Sequence, residues 1–159
     1  MSKDFIPKKD AVFLAYNVLK ILLKNVEKAE SGKVAILMLL ETFAKEDYFT
    51  KKECEDFLQK DFRIFSNTMT LFKVKKQILP CLIAISKHIS YELFQEKVLT
   101  TFVEYCSDEI WGVRRVCLEI LPEIIKLLQP TETASMIKLL DFVKKSFTDS
   151  SKWVKNQAF

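Results

Sequence analysis

The sequence predicts an all-α fold in which antiparallel helix pairs stack into an α-α superhelix, that is, a solenoid. The 159 residues include only 2 glycines and 4 prolines, and β-strands joined by tight turns need more of these residues. Hydrophobic residues make up 49% of the chain, which is enough to form a buried core. An apolar helical pattern also recurs at a nearly constant interval. We therefore expect residues 1–159 to form a single helical domain.

Four valines, each at the start of an apolar helical pattern, define this interval: Val34, Val74, Val113 and Val154. They lie 40, 39 and 41 residues apart, close to the period of HEAT and armadillo units. A basic residue follows the last three valines, and an aromatic residue stands one or two positions before each of these three. We expect about four HEAT-type repeats. The last repeat is cut off at Phe159, so we expect either that the chain is a fragment or a truncated product of a longer solenoid, or that its last residues fray.

Each interval contains the patterns of two helices. The opening helix is predicted from about Lys8 to Val26, and Thr50 with Glu53 has the spacing of a capping box at the start of a later helix. Pro80 lies inside a predicted second helix, where it removes a backbone hydrogen bond and is expected to cause a kink; Pro122 does the same in the next pair. A single helix pair cannot bury its apolar face alone, so each repeat needs a neighbour.

Acidic residues recur in step with the valines. Asp108 and Asp149 each lie five residues before a repeat valine. We expect them to pair with Arg114 or Lys155 and with the equivalent residue of the adjacent repeat, forming a ladder along the turns. The first two repeats have other residues at this place, Ala29 and Met69, so pairing is not expected there.

The basic residues allow a second interpretation, in which they line the inner face of the stack and meet an acidic partner surface. This candidate basic stripe consists of Lys75, Lys76, Arg114, Arg115 and Lys155. The aromatic residues at the repeat positions are expected to pack across the turn between paired helices. They are Phe72, Trp111 and Trp153.

No pattern predicts catalysis, a metal site or a cofactor. His88 is the only histidine, so neither a zinc site nor a Cys/His nucleophilic pair is expected. The four cysteines match no zinc-binding spacing and are predicted to be buried, reduced thiols. Two glycines cannot supply a glycine-rich phosphate loop. We expect a protein that is not an enzyme.

The net charge and hydropathy of the chain limit the classes of partner that we expect. The net charge of +4 is mild, so nucleic acid is not the expected partner. The longest apolar run, Val34 to Leu40, is far shorter than the ~20 residues that span a bilayer, and no signal peptide is recognisable. A soluble protein of the cytoplasm, the nucleus or both is expected, without membrane association.

Residues 102–117 read Phe-Val-Glu-Tyr-Cys-Ser-Asp-Glu-Ile-Trp-Gly-Val-Arg-Arg-Val-Cys. This run resembles the phosphatase 4 regulatory subunit 1 family, in which Cys-Ser-Asp is followed by Trp-Gly, a hydrophobic residue, Arg and a basic residue. Residues 147–159 look like the next repeat of that family. The resemblance covers about residues 90–159, while the first half agrees mainly in its repeat pattern. Scaffold subunits of phosphatase 2A share the general Asp-to-Val-Arg pattern.

The resemblance implies a non-catalytic regulatory subunit that binds the phosphatase 4 catalytic subunit and helps to select substrate proteins. Two alternatives stay open. One is a HEAT-repeat adaptor for another protein client, such as a transport or trafficking factor. The other is a nucleic-acid-binding solenoid, whose affinity would fall steeply with salt.

Overall fold

The computed structural model describes residues 8–25, 30–66 and 71–159. These residues form helices and connecting turns, and no strand occurs among them. The prediction of an all-α fold is therefore confirmed. The α-helices are α1 (Lys8–Asn25), α2 (Glu30–Lys45), α3 (Lys51–Asp56), α4 (Phe72–Ser86), α5 (Tyr91–Leu93), α6 (Thr100–Tyr105), α7 (Trp111–Leu127), α8 (Thr133–Ser146) and α9 (Lys152–Ala158).

Two helical segments contain π-helical turns, which were not predicted. Helix α3 continues through a π-helical stretch, Phe57–Asp61, and a 3-10 turn, Phe62–Ile64. A second π-helical stretch, Phe94–Leu99, joins α5 to α6. Each composite segment is therefore one continuous helical rod that stands before a regular helix.

The start of α3 was predicted correctly. The Thr50 hydroxyl accepts a hydrogen bond from the Glu53 amide at 3.3 Å, and the Glu53 carboxylate accepts from the Thr50 amide at 2.8 Å. These reciprocal bonds satisfy two amides that a helix start would otherwise leave without a partner. Helix α1 begins at the predicted Lys8, while Val26, the predicted end, lies outside the described residues.

The helices that contain the repeat valines lie side by side. We call α2, α4, α7 and α9 the second helices; α2 contacts α4, α4 contacts α7, and α7 contacts α9. Val74, Val113 and Val154 are at most 1% exposed, and Val34 is partly buried against the same core. Positions about forty residues apart therefore have similar surroundings.

Hydrogen bonds between distant described residues connect neighbouring helix pairs. Gln77 donates to Glu41 at 2.7 Å, Lys33 Nζ donates to the Ile64 carbonyl at 2.9 Å, and the Ser90 amide donates to Glu55 at 3.0 Å. Gln95 also donates to Glu132. These bonds span 31 to 37 positions, close to one repeat interval. Such a pattern arises when each pair contacts the next one along the chain.

The buried face of α8 differs from the predicted one. Apolar residues at steps of three and four in the sequence, which include Leu139, Leu140 and Phe147, predict one core face, but Leu140 is 56% exposed and Phe147 is 40% exposed. Phe142 and Ser146 are buried with Leu139 instead. These residues follow the steps of three and four that define a narrow helical face, and Leu140 lies beside that face. Val18 belongs to the apolar series of α1 and is likewise 40% exposed.

Two neighbouring residues of α7 test the burial pattern. Ile124 is fully buried and Ile125 is 42% exposed. We predict that Ile124→Ala lowers the free energy of unfolding by about 3 kcal/mol, because it removes buried methyl groups and leaves a cavity. Ile125→Ala should lower it by less than about 1 kcal/mol. Urea unfolding followed by circular dichroism measures both, and equal losses would show that the face of α7 is assigned incorrectly.

Candidate functional site

A bidentate ion pair connects α7 to the turn before α9. Arg114 Nε donates to Asp149 Oδ2 at 2.8 Å, and Arg114 Nη2 donates to Asp149 Oδ1 at 2.7 Å. The two side chains are only 14% and 12% exposed. A bidentate guanidinium–carboxylate pair with little solvent fixes distance and orientation together.

A similar contact connects α4 to the turn before α7. Lys75 Nζ lies 2.6 Å from Asp108 Oδ2, and these side chains are 19% and 8% exposed. Lys75 and Arg114 each follow a repeat valine, and each cation reaches the aspartate of the next repeat. We call these two pairs the ladder.

Each ladder aspartate also shapes the turn that contains it. Asp108 Oδ1 accepts a hydrogen bond from the Ile110 amide at 2.9 Å, and Asp149 Oδ1 accepts from the Ser151 amide at 2.8 Å. Aspartate side chains commonly bind the amide two residues onward and so stabilise turns. Each aspartate carboxylate therefore stabilises the turn before its second helix and also binds the cation of the preceding repeat.

The contact between Arg114 and Asp149 shifts the pKa of both groups in the direction expected for a strong ion pair. The hydrogen bond from Arg114, the turn amide of Ser151 and the nearby positive charge hold the pKa of Asp149 below its usual value, although partial burial opposes the shift. The hydrogen bond to Asp149 raises the pKa of Arg114. Both groups are therefore charged at neutral pH.

The structure brings together some of the predicted ladder residues and not others. Asp149 meets Arg114, but the side chain of Asp108 meets Lys75, and only its backbone carbonyl accepts from Arg114, at 2.7 Å. For Lys155, in the equivalent place on α9, no acidic partner occurs among the described residues. Ala29 and Met69, the two positions where no ion pair is expected, lie outside the described residues.

The five residues of the candidate basic stripe have different environments. Lys75 and Arg114 are neutralised by the ladder, whereas Lys76 is exposed. The side chain of Arg115 is 41% exposed and forms an ion pair with Glu119, whose Oε1 lies 3.0 Å from Arg115 Nε. The geometry of this contact is not that of a hydrogen bond. The cations available to a partner are therefore fewer than the sequence pattern indicated.

The three repeat aromatics lie along the second helices and are partly exposed. The rings of Trp111 and Trp153 stack at a centroid distance of 6.5 Å and an interplanar angle of 25°. Phe72 covers Gly112 so closely that an added Cβ there would lie 2.7 Å from two ring atoms. We call Phe72, Trp111 and Trp153 the aromatic stripe. The prediction concerned packing within a helix pair, whereas these contacts join neighbouring pairs.

The cysteines and the histidine have environments that fit structural roles. All four cysteines are free and buried, and burial with nearby Glu53 and Glu55 raises the pKa of Cys54 to about 12. Its thiol is therefore protonated at neutral pH and is a poor nucleophile. His88 Nε2 donates to the Ala44 carbonyl at 2.8 Å. No group of three or more His, Cys, Asp or Glu side chains suited to a metal ion occurs in the described part of the chain.

A groove of about 380 Å³ lies beside the ladder. It is lined by Arg114 and Asp149, which bind each other, and by Lys145 and Asp141, whose charged atoms lie 2.7 Å apart. The charges of these four residues are therefore balanced within the groove. Across residues 8–25, 30–66 and 71–159, every helix is too short or too polar to span a bilayer.

No protein-family model, curated protein or solved structure matches this chain.

The energetic role of the ladder can be measured by a double-mutant cycle with Arg114→Gln and Asp149→Asn. We expect a coupling of about 2 kcal/mol in the free energy of unfolding, because the two charges share hydrogen bonds away from solvent. The matched control is Lys145→Gln with Asp141→Asn, since that pair is 77% and 57% exposed. Its coupling should stay below about 1 kcal/mol. Similar couplings for the two pairs would contradict the special role of the ladder.

The lowered pKa of Asp149 predicts a pH dependence. The carboxylate contributes its full stabilisation above the unfolded pKa of about 3.9, and this contribution disappears as the pH falls through the lower folded pKa. Unfolding of the native chain and of Asp149→Asn, measured from neutral pH to about pH 2, should therefore show a stability difference that shrinks in acid. A difference that is unchanged at the acid end would be inconsistent with a charged Asp149.

Proposed function

We propose that the chain is a non-catalytic scaffold, a HEAT-type α-α superhelix of about four repeats that binds other proteins. The observation that supports this most directly is the ladder, in which a cation after one repeat valine reaches the aspartate before the next. Side-by-side second helices joined in this way present an extended, semi-rigid surface.

The finer proposal is a regulatory or scaffold subunit of a serine/threonine protein phosphatase of the phosphatase 4 type. Its support is the resemblance across about residues 90–159. Asp108 and Arg114 in that segment belong to the ladder, so a shared repeat fold alone accounts for their presence in both. The exposed rings of Trp111 and Trp153 serve no ladder contact, and they favour a shared binding surface. This partner would place the chain in the cytoplasm, the nucleus or both.

A binding experiment with purified proteins tests the phosphatase proposal. The tagged 159-residue chain should retain a phosphatase 4 catalytic subunit on a column and should not retain an unrelated phosphatase catalytic subunit. Circular dichroism and cooperative unfolding establish beforehand that the chain is folded. A folded chain that retains neither subunit would contradict the phosphatase proposal.

The same preparation separates the remaining alternatives. Crosslinking in cell extract followed by mass spectrometry would identify a different protein client, as the adaptor hypothesis requires. A nucleic-acid-binding solenoid would instead bind a labelled oligonucleotide with an affinity that falls steeply as salt increases.

A further inference from the structure

We propose that the aromatic stripe and the basic residues around it form a docking surface for an extended acidic segment of a partner protein. This inference rests on the proposed scaffold function, since it describes the kind of partner segment that the scaffold binds. Three features of the second helices support it: exposed rings, an excess of cations, and the way in which the ladder removes nearby acids from the surface.

The first feature is an area of exposed apolar side chains on and beside the aromatic stripe. Phe72 is 38% exposed, Trp111 is 43% exposed and Trp153 is 49% exposed. Leu71 and Ile110, which directly precede two of these rings, are 57% and 37% exposed. The chain has only two tryptophans, and both lie in this area. Large, partly exposed rings offer substantial apolar area for a partner to bury.

The second feature is the charge of the segments that contain the rings. Residues 71–76, 110–115 and 152–156 include seven lysines and arginines and no acidic residue. Lys75 and Arg114 are neutralised by the ladder. Arg115 also lies 3.0 Å from Glu119 Oε1, so the remaining four cations are Lys73, Lys76, Lys152 and Lys155.

The third feature is the position of the ladder carboxylates. Asp108 and Asp149 stand close to the rings in sequence, but their side chains are only 8% and 12% exposed. Their charge is used within the stack, so it does not offset the cations beside the rings; the exposed Glu109, which precedes Ile110, offsets one of them. A partner segment with carboxylates between apolar side chains would complement both the cations and the rings.

The arrangement of the rings favours a peptide over a nucleic acid. Trp111 and Trp153 are stacked on each other, and Lys152 Nζ lies 5.0 Å from the centre of the Trp153 ring. Ring faces engaged in this way are poorly available for base stacking, on which single-strand binding depends. Ring edges carry partial positive charge and are suited to contact with carboxylates.

The length of the segment follows from the spacing of the helices. Neighbouring packed helices are ~10 Å apart, so a path from Phe72 on α4 to Trp153 on α9 crosses roughly 20 Å. An extended chain advances about 3.1 Å per residue. About seven residues therefore reach across the aromatic stripe.

A fluorescein-labelled peptide of repeated Glu-Glu-Pro-Phe, about 12 residues long, provides the probe. Its anisotropy on titration with the 159-residue chain measures affinity, and tryptophan fluorescence reports contact at the stripe. We expect the peptide with every Glu replaced by Gln to bind at least about tenfold more weakly. Trp111→Ala with Trp153→Ala should weaken binding of the acidic peptide by at least about tenfold, and Lys76→Gln with Lys155→Gln should weaken it several-fold.

Matched controls address folding and location. Phe13→Ala removes a ring that is 72% exposed on α1, and Lys126→Gln removes a cation that is 69% exposed near the other end of α7. Both should leave the affinity unchanged. Trp111→Phe with Trp153→Phe keeps aromatic rings and should retain most of the binding, which separates loss of contact from loss of fold.

Three results would overturn the inference: equal affinity for the acidic and neutral peptides, unchanged affinity in the double alanine variant, or tighter binding of a labelled oligothymidylate than of the acidic peptide. The phosphatase proposal is tested separately by retention of the catalytic subunit. A chain that retains the subunit but does not bind the peptide contradicts only the docking surface. A chain that binds the peptide but not the subunit contradicts only the phosphatase assignment.

Discussion

The bond between Arg114 and Asp149, with its counterpart between Lys75 and Asp108, sets the register of neighbouring second helices. Apolar faces alone would hold these helices together but would permit sliding, because hydrophobic contact has no preferred direction. A bidentate pair with about one-eighth of each side chain exposed allows a single alignment. Buried charges are often worth little in net stability, so their main effect here is on alignment, and through it on the spacing of Phe72, Trp111 and Trp153.

The ladder also accounts for the uneven distribution of charge. Two aspartates that would otherwise offset the lysines and arginines are turned into the stack, where they hold their own turns and the preceding repeat. The cations left at the surface stand beside partly exposed rings. One arrangement of side chains therefore explains how neighbouring second helices are joined and why these two aspartates do not offset the surface cations.

Much of the fold is visible in the sequence because it depends on local patterns. The interval between repeat valines, the second helices and the capping box of Thr50 and Glu53 follow from periodicity and short-range hydrogen bonding. The direction of the ladder does not, because Asp108 stands near Arg114 in sequence as well as near Lys75 in space. The position of Leu140 depends on how α8 packs, and the stacking of Trp111 on Trp153 depends on contacts between repeats. The π-helical turns have no sequence signal that we recognise.

The rate at which the Arg114 Nε–H proton exchanges with water, measured by nitrogen-15 NMR, tests most directly whether the ladder aligns the second helices. This proton should exchange slowly with water at neutral pH, because it is held by Asp149 at 2.8 Å with little access to solvent. The same proton of Arg63, an exposed residue, should exchange rapidly, and Asp149→Asn should remove the difference. Exchange of the Arg114 proton as fast as that of Arg63 in the native chain would contradict the claim that the ladder aligns the helices.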